Sequence, residues 1–293
     1  MARLAFLGTP EMAVPPLHAL VGAGHDVVLV VSRPDRRRGR GAAPTPSPVK
    51  AAATALGIPV SSSMEDVPGA GVELAVVVAF GRIIPAALLE QVPMINLHFS
   101  LLPRWRGAAP VERAILAGDA ETGVCVMKVE EGLDTGPVYA RRVVTLDEEI
   151  DLPALRAQLV KVGSALLVEV LAGGGSGLPE PIAQSGEATT AEKLSKDDVK
   201  LRWDQPAVQL HRVVRLGGAW TTFREKRFGI LRAEVNDTAV PRVSPGTLVG
   251  ASVATGEGCL RLVEVQPESR KPMSAEEWER GARPQDGERL GTD

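Results

Sequence analysis

At 293 residues, 44% hydrophobic and 24% charged, the chain is long enough for two globular domains and too apolar for extensive disorder or a fibrous fold. Two cysteines far apart, Cys125 and Cys259, without Cys or His at metal-ligand spacing, exclude a disulfide framework and imply no metal site. The net charge of -3 by itself gives no hint of a nucleic-acid partner, and no run approaches the eighteen or so apolar residues of a membrane span, so a cytoplasmic protein with no membrane partner is expected.

The N-terminus enters an apolar run, Leu4 to Leu7, with no basic leader or cleavage site. Val27 to Val31, Leu74 to Ala79 and Ile95 to Leu97 also have the β-rich character of buried strands. Between these runs, Met12 to Val21, Pro48 to Leu56 and Ala86 to Gln91 follow helical patterns. This alternation predicts a parallel sheet wrapped by helices on both faces. The first turn, Gly8-Thr9-Pro10, lacks the GxGxxG of a dinucleotide site.

Strands are expected at Val124 to Val129, where Cys125 is a packed core thiol, and at Val138 to Thr145. A helix from Leu152 to Leu171 then ends in Gly173-Gly174-Gly175-Ser176-Gly177. These features place the first domain at 1–180 and a surface linker at 181–203, which carries Gly186 and a charged run. From 204 to 293, a helix over Pro206 to Leu216 precedes short strands broken at Gly229, Pro241, Pro245-Gly246, Gly250 and Gly256. That turn spacing predicts a small barrel or sandwich. Residues 195–293 carry 16 Lys+Arg against 15 Asp+Glu, and residues 1–194 carry 17 against 21, a weak asymmetry.

Asn96-Leu97-His98 places two polar side chains on the same face of a strand where it ends, and strand C-termini are where open α/β sheets bind ligands. Ser100-Leu101-Leu102-Pro103 follows at once, and Gly132-Leu133-Asp134-Thr135-Gly136 comes later. A second feature is the segment Arg33 to Lys50, long for a connection within a compact sheet and rich in Arg and Gly. Such a segment is either a solvated basic loop or one that folds around phosphates and RNA ends.

Taken in this order, the elements resemble the methionyl-tRNA formyltransferases, within the wider folate-dependent formyltransferases, and the resemblance runs nearly end to end. It implies Asn96, His98 and Asp134 as the catalytic set. It also implies Ser100, Leu101, Leu102 and Pro103 as a folate contact, with Phe80 and Gly81 lining the pterin pocket, and Arg36, Arg38 and Arg40 as contacts to tRNA. The donor implied is 10-formyltetrahydrofolate, the acceptor methionyl initiator tRNA, and the protein a monomer. The fold implied is an open, mostly parallel, Rossmann-like formyltransferase sheet followed by a C-terminal OB-like β-barrel that binds tRNA. Ala191 to Lys196 with Trp203 resembles the family's junction between domains, and Arg270-Lys271-Pro272-Met273 its late turn. Phe99 stands where relatives carry a small residue, and Trp105 is placed either to stack on a base or to pack.

Attack of an amine on a formyl amide creates a tetrahedral oxyanion and releases a proton. Amide and imidazole donors facing the oxygen, and a carboxylate orienting the imidazole or holding a water, answer those two needs. No protein nucleophile is required. Formyl transfer to a nucleotide sugar or purine precursor, hydrolysis of a formyl folate, and a non-enzymatic RNA-binding protein on this scaffold are the alternatives. Dependence of formyl consumption on charged initiator tRNA separates them.

Overall fold

Seven strands make the first sheet: β1 (Arg3–Gly8), β2 (Asp26–Val31), β3 (Val60–Ser61), β4 (Leu74–Val78), β5 (Met94–His98), β6 (Glu121–Lys128) and β7 (Val138–Thr145). They lie in the order β7-β6-β5-β4-β1-β2-β3, in a computed structural model that describes residues 1–37, 43–175, 177–236, 243–285 and 287–292. β1 to β5 pair in parallel, whereas β6 pairs antiparallel with both β5 and β7. Every residue of β4 is buried, as expected for a strand covered on both faces and built of Leu, Ala and Val. The reversal of strand order falls between β1 and β4, and open α/β sheets bind ligands at the C-terminal strand ends beside such a reversal, where β5 also ends.

The helices follow from local signals. α1 (Val14–Gly22) carries prolines in its first turn. α2 (Pro48–Ala55) starts at Ser47, whose hydroxyl accepts from Lys50 N at 3.0 Å and meets the Ser32 hydroxyl at 2.6 Å. α3 (Ala86–Leu89), α4 (Pro110–Ala117) and α5 (Leu152–Val170) complete the set before residue 171. Cys125 is fully buried on β6, and burial pushes its thiol pKa up, consistent with a packed thiol and not a nucleophile.

The chain divides into two units. The first comprises Met1–Val111, Ala120–Leu146 and Ala154–Glu192, and the second Glu112–Asp119, Asp147–Pro153 and Lys193–Asp293. The segment 181–203 is divided between them. Ile182 pairs with Val138, and Thr190–Ala191 pairs with Arg106–Gly107, both in the first unit. Lys200 pairs with Trp220, and Trp203 is buried in the core of the second unit, its indole N–H donating to Thr221 Oγ1 at 3.0 Å. Backbone pairing thus anchors Ile182, Thr190–Ala191 and Lys200 within the stretch expected as a surface linker, most of which is exposed.

In the second unit, α6 (Ala207–Arg215) precedes β8 (Trp220–Phe223), β9 (Lys226–Asn236), β10 (Leu248–Val249), β11 (Ser252–Ala254), β12 (Cys259–Pro267) and β13 (Met273–Ser274). The order is β8-β9-β12-β11-β10, with β13 also on β12 and every pairing antiparallel. The expected OB-like barrel is not found: among the described residues no ladder joins β8 to β10, and the sheet is open. Leu210, Val213 and Val214 of α6 cover it, and so does Trp278 of α7 (Ala275–Ala282), with ring centroids 4.6 Å from Phe228 and 5.1 Å from Phe223. Helices therefore bury apolar area that closure would otherwise bury. α7 begins in a reciprocal Ser274–Glu277 capping box.

His211 on α6 supplies a pH test of this unit. Its side chain is 8% exposed, and burial lowers its pKa from the ordinary 6.5. Glu149, 3.6 Å away, pulls the other way, but that carboxylate is 73% exposed and screened by water. The folded chain therefore takes up this proton less readily than the unfolded chain. Its contribution to stability is present above pH 6.5 and is lost as pH falls through the lowered folded value. Denaturant titrations followed at Trp fluorescence should show stability falling below pH 6.5 in the wild type and a shallower fall in His211→Gln. Equal slopes would remove His211 from the account.

Candidate active site

β5 ends at His98, one strand from the reversal of strand order, with Asn96 paired to Val77 of β4 and Met127 of β6, and His98 to Cys125. Asn96 and His98 share a face because side chains alternate along a strand. Asp134 comes from the β6–β7 connection, with its backbone at φ +51°. Its carboxylate reaches both: Asn96 Nδ2 donates to Asp134 Oδ1 at 3.5 Å, and His98 Nδ1 lies 3.6 Å from Asp134 Oδ2. The His98 and Asp134 side chains are 6% and 13% exposed, so the pair is largely withdrawn from water. The three residues implied as catalytic are thus brought together from segments 38 residues apart.

Backbone groups complete the arrangement. The carbonyl of Trp105 lies 2.9 Å from His98 Nε2 and can only accept, so that ring nitrogen donates to it. Gly107 N donates to Asp134 Oδ2 at 2.8 Å. Gly107 sits at φ +124°, and an added Cβ would fall 2.8 Å from Ala191 O, so only glycine fits there without displacing the short Arg106–Gly107 ladder. Gly136 meets a comparable limit, an added Cβ being 2.0 Å from Lys128 O across the hairpin.

The remaining candidates divide. Ser100 Oγ donates to Arg104 O at 2.6 Å and closes the turn after β5, through Leu101, Leu102 and Pro103, in which the Leu102–Pro103 bond is cis. Leu102 is buried with Cys125, Met127 and Val138, and Phe80 with the core beside β4, so their side chains face inward. Gly81, at φ +69°, offers its carbonyl to Arg33 Nη2. Phe99 is buried as well. The Arg104 guanidinium lies 4.5 Å from the Trp105 ring centroid, a cation–π contact. Arg36 pairs through its backbone with Thr45, whereas Arg38 and Arg40 lie outside the described residues.

Sequence reasoning passed over Trp105 O, Gly107 N and Gln184. Gln184 Nε2 donates to Asp134 O and Gly136 O, both at 2.8 Å, and its Oε1 accepts from Arg106. No group of three His, Cys, Asp or Glu side chains among the described residues is placed to hold a metal ion.

Residues 2–171 match the family described as Formyl transferase, and residues 193–283 match Formyl transferase, C-terminal domain. Over 301 residues the chain is 42% identical to a methionyl-tRNA formyltransferase of Roseobacter denitrificans, covering 97% of each protein. It is 41% identical to that of Heliobacterium modesticaldum, covering 99% of this chain and 100% of the relative. The fold is shared with an N-formyltransferase from Helicobacter canadensis in complex with folinic acid and dTDP-3-aminofucose (TM-score 0.69, 15% identity, 91% of this chain and 100% of that one). It is likewise shared with a methionyl-tRNA formyltransferase from Clostridium thermocellum (TM-score 0.56, 15% identity, 82% and 96%). Two matched domains and end-to-end identity above 40% agree: the chain belongs to the methionyl-tRNA formyltransferase family.

Proposed function

We propose that this chain transfers a formyl group from 10-formyltetrahydrofolate to the α-amino group of methionyl initiator tRNA. The convergence of Asn96, His98 and Asp134 at the end of β5, in a chain of this family, carries the reading. The acceptor amine attacks the formyl carbon, a C–N bond forms, and the carbonyl electron pair moves onto oxygen. The donors for that oxyanion are the second amide N–H of Asn96, the 3.5 Å Asp134 contact engaging the first, and His98 through Nδ1–H when that nitrogen carries a proton, its Nε2–H being held by Trp105 O. Collapse breaks the bond to the folate nitrogen, which takes up a proton, while the amine loses one. Asp134, held by Gly107 N, orients His98 and holds the water that passes the proton. Ser100 to Pro103 and Phe80–Gly81 flank the donor's place after β5 and β4, and with Phe80 and Leu102 facing the core, backbone groups are their contacts.

The test is formyl transfer from 10-formyltetrahydrofolate to Met-tRNA, run beside free methionine, a nucleotide amino sugar and glycinamide ribonucleotide. Transfer should require the charged initiator tRNA. Comparable rates with a small amine would overturn the acceptor. The same reading takes the protein as a cytoplasmic monomer; no described helix is long and apolar enough to cross a membrane.

The basic segment gives a second prediction. Each Arg that meets a phosphate displaces condensed counterion, so replacing Arg36, Arg38 and Arg40 together with Ala should raise KM for Met-tRNA. It should also flatten the salt dependence of tRNA binding by roughly 0.7 to 0.9 in log–log slope for each phosphate no longer neutralised. KM for the folate should hold. Wild-type tRNA kinetics across salt concentrations would make these arginines a solvated surface.

A further inference from the structure

Gln184 is half-buried in the first unit, and both ends of its amide are engaged. Its Oε1 accepts from Arg106 Nε at 3.1 Å and Nη2 at 2.7 Å. A guanidinium can only donate, so this fork decides which end of the amide is oxygen and turns the nitrogen toward Asp134. Nε2 then donates to the backbone carbonyls of Asp134 and Gly136, each at 2.8 Å, bracketing Thr135. Asp134 holds a left-handed backbone, uncommon for a residue with a Cβ, and such conformations persist where surrounding contacts over-determine them. Gln184 and Gly107 supply such contacts from two sides, one on the carbonyl and the other on the carboxylate. Arg106, which orients Gln184, directly precedes Gly107, so one short stretch of chain controls both attachments.

We infer that Gln184 is a positioning residue for formyl transfer: oriented by Arg106, its amide fixes the left-handed Asp134 so that the carboxylate faces Asn96 and His98. The inference rests on the proposed transfer reaction. Gln184 touches no reacting atom, and its effect passes through the placement of Asp134. Gln184→Glu keeps the size of the side chain and its pairing with Arg106 while removing both donations to the loop. Gln184→Ala removes everything.

The experiment is steady-state formyl transfer to Met-tRNA by the full chain and both variants, well below their unfolding temperatures, with folding followed by circular dichroism. Both variants should lose about 5- to 100-fold in kcat, the scale of a small misplacement of a catalytic group, while KM for folate and tRNA stays within about twofold. Wild-type dichroism in Gln184→Glu separates this from a general loss of structure. A kcat loss below about fivefold in Gln184→Glu, or a rise in KM in place of a fall in kcat, overturns the inference. Failure of the wild-type chain to formylate Met-tRNA overturns the proposed function, and this inference with it. An active wild type with an undiminished Gln184→Glu overturns the inference alone.

Discussion

His98→Ala and Asn96→Ala are each expected to lower kcat for formyl transfer about 10²- to 10³-fold, with folate affinity nearly unchanged. The size follows from removing one preorganised donor to a developing oxyanion, about 2.7 to 4 kcal/mol. The proposed donors are preorganised because β5 fixes their backbone between β4 and β6, and because Trp105 O and Asp134 fix the orientation of the imidazole. In the proposed mechanism both side chains act on charge that appears only in the transition state, so kcat and kcat/KM should fall together. An activity loss below about threefold in either variant would remove that residue from the catalytic set. His98→Ala also vacates a buried position, so its thermal unfolding should be compared with that of Asn96→Ala to separate chemistry from stability.

Asp134→Asn should leave a folded protein with about 10²- to 10⁴-fold lower kcat, the range expected when a proton-handling group is lost. The amide is nearly the same size, and its oxygen can still accept from Gly107 N, so the loop keeps its main attachments. The negative charge facing His98 Nδ1 is lost, and with the oxygen kept on Gly107 N the new NH₂ takes the Oδ1 place, where it meets the Asn96 amide donor in place of accepting from it. The pH–rate profile should change shape along with the magnitude. A fully active Asp134→Asn enzyme with the wild-type profile would sink the assignment and leave the carboxylate a structural tie.

Much of the site could be read from residue types. Asn96 and His98 stand two apart on a strand whose apolar pattern places its end, and Leu133-Asp134-Thr135-Gly136 is specific enough to nominate its carboxylate. The partners that hold them could not be read in this way. Trp105 O and Gly107 N are backbone groups, which any residue supplies, and Gln184 meets Asp134 and Arg106 across 50 and 78 residues. α7 is a different case, since Ser274 and Glu277 carried a capping-box signal within charged sequence that masked the helix.

Residue types and their spacing are enough to set the alternation of strands and helices, the strand that carries Asn96 and His98, and the family, because period-two and period-3.6 burial and a motif's residue types are local properties. Which strand edges pair is a tertiary matter. The short, glycine-punctuated strands after residue 216 suit an open sheet and a closed barrel equally, and packing of α6 and α7 over one face is what distinguishes the two. The course of the segment 181–203 is tertiary too, since a polar stretch carries no pattern of its own and takes its place from the backbone groups it pairs with, Val138 and Gly107 on one side and Trp220 on the other.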